Sequence, residues 1–129
     1  MKPIPESSLT ETQTKHLRLA RRLADLGFDI DKIRGVSPAS ISGWTRGGSK
    51  VLGLFEPQSK LLYITTEALE SPFTTTAIVI HELGHHASGG APDYTDAWAH
   101  GMLQVATKLI WEVSQGKLNV GVIEWDYPD

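Results

Sequence analysis

The sequence predicts an α+β fold. Its elements are an N-terminal helix, a β-hairpin or small sheet, a helix carrying paired histidines, a second long helix and a C-terminal strand. Three observations predict it: apolar residues recur at helical spacing in two stretches, two β-rich runs bracket a polar turn, and glycines or prolines punctuate the boundaries.

Residues 1–8 read as a lead-in. From Thr10 to Leu26 the residues Leu19, Leu23 and Leu26 fall at i, i+4 and i+7, with Ala20 and Ala24 alongside, and Gly27 supplies a stop. Lys15, Arg18, Arg21 and Arg22 lie off that stripe, as a solvated face would place them. The runs Lys50 to Phe55 and Lys60 to Thr65 flank "EPQS" and predict a hairpin. Ser71 before Pro72 predicts a helix start, with a hydroxyl cap and a proline where a missing N–H is harmless. That helix is expected to run to Ser88 and to stop at Gly89-Gly90. A second helix is expected from Asp93 to Gln115, with Trp98, Met102, Val105, Ala106, Leu109 and Val113 as its apolar stripe. Gly116 ends it, and "KLNVGVIEW" predicts a closing strand.

With 129 residues the chain fits one domain, and 40% hydrophobic against 21% charged residues is enough to bury a core. A formal net charge of -3 sets up no general attraction to nucleic acid or anionic membrane. The absence of cysteine removes disulfide scaffolds, thiolate metal sites and cysteine nucleophiles together. "MKPIPESSLTETQ" has no apolar leader, and no apolar run approaches the length of a membrane span. The expectation is a cytoplasmic protein with no membrane partner.

The chemistry concentrates in "HELGHH", residues 81–86. On a helix His81 and His85 lie one turn and a little apart, so both imidazoles project from one face. Imidazole nitrogens at about 2.0–2.1 Å are preferred donors to catalytic zinc. Glu82 sits about 100° around the helix from His81. It can therefore reach a metal-activated water without binding the metal, and serve as general base. The expectation is one Zn2+ per chain and hydrolysis of a peptide or protein substrate.

With this motif in a helix behind "AIVI", and a hairpin ahead of it, the chain resembles the zincin superfamily of zinc metallopeptidases over roughly Lys50 to Trp111. The resemblance implies an edge strand beside the cleft, on which substrate pairs. It divides the single domain 1–129 into a helical N-terminal segment, 1–48, and a catalytic core, 49–129. The metzincin extension is missing, because Ser88 and Ala91 stand where that branch has glycine and histidine. A later-helix glutamate, as in thermolysin-like enzymes, would be Glu112, about 24 Å along the helix from Asp96.

The third protein ligand is then sought at Asp96 and His100, which share a helix face at i and i+4. "His100-Gly101" is similar to the His-Gly ligand of SprT-like proteases. "DAWAHGM" resembles a segment of lethal-factor-type zincins, in which the residue matched by Asp96 binds zinc. His100 is preferred, with Asp96 orienting a ligand from behind. His86 and Tyr94 are lesser candidates for contacting the oxyanion or substrate.

A second signal competes. "GVSPASISGWTRG", residues 35–47, is similar to the turn and recognition helix of repressor-type helix-turn-helix domains. Gly35 would form the turn, Ser37 the cap, and Val36 and Ile41 the packing contacts. It implies, as the alternative function, a zinc-bound regulatory or DNA-interacting module spanning 27–47 with little or no peptidase activity. Arg34, Arg46 and Lys50 would then contact nucleic acid. Departures from the pattern at Asp31 and Gly43 count against it.

Overall fold

The computed structural model describes residues 1–45 and 48–118, and these build three helices and a four-stranded mixed sheet. After a two-residue strand β1, Lys2–Pro3, comes helix α1, Glu11–Gly27. The Thr10 hydroxyl accepts from the Gln13 N–H, and the Gln13 side chain accepts from the Thr10 N–H. This reciprocal cap satisfies two amides that helix geometry leaves without partners. Leu17, Leu19, Ala20, Leu23 and Ala24 are buried on the inner face. Arg21 does not simply face solvent: its guanidinium donates to the Val36 carbonyl and pairs with Glu6, tying α1 to the next strand.

That next element corrects the helix-turn-helix reading. Gly35–Ser40 is strand β2, and no recognition helix forms there. It pairs in parallel with β4, Leu61–Thr65, from Gly35 opposite Leu61 to Ala39 opposite Thr65. It also pairs antiparallel with β1. Val36, Pro38 and Ala39 are buried. A strand here gains a ladder on both sides, whereas a helix would have met Gly43 after a single turn or so. Over its described residues the N-terminal segment 1–48 is therefore mixed rather than helical.

The expected hairpin is present. β3, Gly53–Glu56, runs antiparallel to β4, and the turn closes through Lys60 at φ 56°. Among the described residues the sheet order is β1-β2-β4-β3, which puts β3 at an edge. Helix α2, Pro72–Ala87, starts on a Ser71 cap that accepts from the Thr74 N–H at 3.3 Å. It ends before Gly89 and Gly90, both left-handed at φ 73° and 93°. Helix α3, Asp96–Ser114, begins three residues later than expected. Its cap is Thr95, and Tyr94 at φ 62° interrupts any earlier helical run.

A single apolar core joins these parts: Leu17 and Leu23 of α1, Val36 of β2, Leu62 and Ile64 of β4, Val79 and Leu83 of α2, Val105 and Leu109 of α3. Fully burying one such side chain contributes about 1.5–3 kcal/mol. Helices α2 and α3 cross at two glycines. A Cβ on Gly101 would stand 2.5 Å from the Gly84 carbonyl oxygen, and one on Gly84 would stand 2.6 Å from Met102 Cγ. Gly53 brings β3 equally close to α2, because a Cβ there would collide with Ile78 and stand 3.3 Å from Glu82. No helix among the described residues is long and apolar enough to cross a membrane. The closing strand expected over "KLNVGVIEW" lies, from residue 119 onward, outside the described residues.

Candidate metal centre

Helix α2 presents different faces to different neighbours. Val79 and Leu83 enter the core, Gly84 meets α3, Glu82 turns toward β3, and His81 and His85 are half-buried, with His81 lining the cleft. The chain reverses at Gly89-Gly90, and this brings Asp93 back onto the histidines. Asp93 Oδ1 lies 3.0 Å from His81 Nε2 and 2.6 Å from His85 Nε2. One donor atom from each of the three residues lies within 4.8 Å of the other two, close to the spread around one ion with bonds of about 2.0–2.2 Å.

Protonation shows what this arrangement suits. His85 Nδ1 lies 2.7 Å from the Ala91 carbonyl oxygen, which can only accept, so Nδ1 carries the proton. His85 Nε2 then faces the Asp93 carboxylate at 2.6 Å. A ring nitrogen and a carboxylate oxygen at such a distance need a cation between them, whether a proton or a metal ion. Burial lowers the His81 pKa, opposed by the nearby Asp93 charge, and so favours the neutral, metal-binding ring. A ligating histidine held through its other nitrogen by a carbonyl is the usual supporting contact for a metal site. The three residues together could hold a metal ion.

Glu82 completes the group. It is buried, and its Oε1 lies 3.9 Å from His81 Nε2. Burial pushes its carboxyl up to about 7; the His85 charge and the Phe55 backbone N–H pull it down, and Asp93 pushes it further up. Trp98 supports the site from α3. Its indole N–H donates to the His81 carbonyl at 3.3 Å, and its ring meets that of His81 edge-on at 4.8 Å. Trp98 was expected to serve only in the apolar stripe.

His81, Glu82, Asp93 and Tyr94 line one cleft of about 790 Å³ with Lys50, Leu52, Gly53 and Ile78. Among the described residues neither Asp96 nor His100 belongs to the metal-binding group. Asp96 is exposed in the first turn of α3, where its charge suits the helix dipole. His100 is exposed on another face, beside Leu103, Thr107 and Trp111. Geometry thus puts Asp93 where the sequence suggested His100 or Asp96. Glu112 is engaged elsewhere, between Lys108 at 2.5 Å and Lys117 at 3.2 Å.

His86 is neither in the cleft nor free in solvent. Its Nε2–H donates to the Asp31 carbonyl at 2.5 Å, and its ring packs against Phe28 and Phe55. No family model, curated protein or solved structure matches the chain.

Proposed function

We propose that the protein is a zinc-dependent metallopeptidase of zincin-like architecture. The observation that carries this reading is the convergence of His81, His85 and Asp93 on one point, with the buried Glu82 carboxyl beside it in a cleft. Zinc held by these three residues would supply a Lewis acid for the scissile carbonyl and a water acidified to a pKa near 7.

The residues of the chain do the rest. Glu82 takes the proton of the attacking water and hands it to the leaving amine, and its burial next to the donors keeps the carboxyl ready to accept that proton. The Ala91 carbonyl fixes the tautomer of His85, and Trp98 holds the turn of α2 that carries His81. Edge strand β3, beside Glu82 across Gly53, offers a backbone edge for an extended peptide.

The DNA-interacting alternative loses its motif, since residues 35–40 form a strand. Lys50, one of its three cations, pairs with Glu67 at 3.4 Å, and Arg46 lies outside the described residues.

The deciding experiment compares parent and Glu82→Gln proteins, both loaded with zinc, on a mixed fluorogenic peptide library. Glu82→Gln should retain its zinc and lose at least about 100-fold in turnover, because an amide cannot accept the proton. Equal turnover in the two proteins would remove Glu82 from the role. A parent that takes up no zinc would end the metallopeptidase reading.

A further inference from the structure

Beyond the donors and Glu82, the cleft is lined by two segments with an unusual property: each holds a large aromatic ring out of the core. Trp44 is 69% exposed and Tyr94 is 72% exposed, and both line the cleft that contains His81, Glu82 and Asp93. Exposed aromatic surface beside a reaction site is ready-made binding surface.

The backbone that carries each ring is held in place before anything binds. Trp44 belongs to an arm that bonds to itself: the Thr45 N–H donates to the Ser49 carbonyl at 2.7 Å, and the Val51 N–H donates to the Gly43 carbonyl at 3.2 Å. Trp44 and Lys50 face each other across an antiparallel bridge. At the base of the arm the Leu52 carbonyl accepts from the Thr65 N–H of β4 at 3.0 Å. Tyr94 has φ 62°, a backbone conformation that a tyrosine seldom adopts, and its ring is backed edge-on by Trp98 at 5.6 Å. Strain of this kind at a cleft points to function. A preordered backbone under the rings also lowers the conformational freedom lost on binding.

We propose that Trp44 and Tyr94 form an aromatic selectivity site that receives a bulky apolar or aromatic side chain of the substrate, close to the bond that is cut. This inference rests on the metallopeptidase reading. The other lining residues agree with it. Val51, Leu52 and Ile78 extend the apolar surface of the cleft. The substrate class is therefore peptides bearing phenylalanine, leucine or a similar residue beside the scissile bond.

Two hydroxamates test it by calorimetry on zinc-loaded protein. Acetohydroxamate reaches the metal alone, whereas an N-acyl-phenylalanine hydroxamate also presents a side chain to the cleft. The second should bind the parent at least about 10-fold more tightly, the discrimination a good apolar pocket provides. Trp44→Ala and Tyr94→Ala should each remove most of that ratio, and Trp44→Phe should keep it. A ratio near one in the parent, or an unchanged ratio in both alanine variants, overturns the aromatic site and leaves the metal reading intact. If neither hydroxamate binds the zinc-loaded parent, the metallopeptidase reading falls, and this inference with it.

Discussion

Asp93 reaches the two imidazoles from a loop rather than from a helix, and this explains both its role and why sequence pattern passed over it. Periodicity marks residues that share a helix face, so His81, Glu82 and His85 were readable, and attention passed to Asp96 and His100 for the same reason. Asp93 looked like the first residue of α3. Only the two left-handed glycines and the φ of 62° at Tyr94 leave it free to turn back. The proposed ligand set orders a chelator competition. Asp93→Ala should weaken zinc binding by more than about 100-fold, beyond what losing a supporting contact usually does. His100→Ala should match the parent, and Asp96→Ala should lie within a few-fold of it. Early zinc release from His100→Ala, with Asp93→Ala unaffected, would hand the site to the histidine.

At the scale of elements, one dipeptide has two outcomes. Ser71-Pro72 opens a helix of 16 residues, whereas Ser37-Pro38 lies within β2. Locally the two are alike: a hydroxyl able to cap and a proline able to start a helix. They differ in the residues downstream and in the strands alongside. The first precedes a run without glycine until Gly84, the second soon meets Gly43, and only the second has β4 and β1 beside it. Partners distant in sequence decided β2, and no local pattern carries them. The hairpin and both long helices were legible because their signals are local. Glycines inside α2 and α3 are a further case, because their close approach appears only once the helices cross. Gly101→Ala should destabilise the fold by about 1–3 kcal/mol, since its new methyl would meet a backbone carbonyl. Gly84→Ala should be only somewhat milder, because its nearest atom is Met102 Cγ at 2.6 Å rather than a carbonyl, while the Met102 backbone still stands at 3.1 and 3.2 Å. Urea denaturation of the two variants checks the order, and a more damaging Gly84→Ala would contradict it.

Across the whole molecule, the buried carboxylate of Glu112 joins the far end of α3 to the rest. Lys108 bonds both to it and to the Leu26 carbonyl at the end of α1. The Lys108 hydrogen bond, then the one from Lys117, holds the Glu112 pKa below its ordinary 4.5. A depressed carboxyl pKa contributes stability above the unfolded value and loses it as pH falls through the folded value. Glu112→Gln should therefore lower the thermal midpoint at pH 7. The gap to the parent should close as pH drops below about 4.5 and the parent's own carboxyl protonates. A gap that stays constant from pH 7 to pH 3 would show that the charge of Glu112 is not what matters. The reversal at Gly89-Gly90 has a different consequence at this scale. The proposed metal donors straddle it, two on α2 and one on the loop before α3, so a bound ion would act as a removable staple across a short segment. Occupancy stabilises whatever holds it by about 2.7 kcal/mol at a free concentration 100 times Kd. That gain should fall on the stapled segment while the sheet stays as it was. Chelation is therefore expected to speed amide hydrogen exchange over residues 88–95 and leave β4 nearly unaffected. Parallel acceleration in β4 would mean that the ion holds the fold together rather than the segment alone.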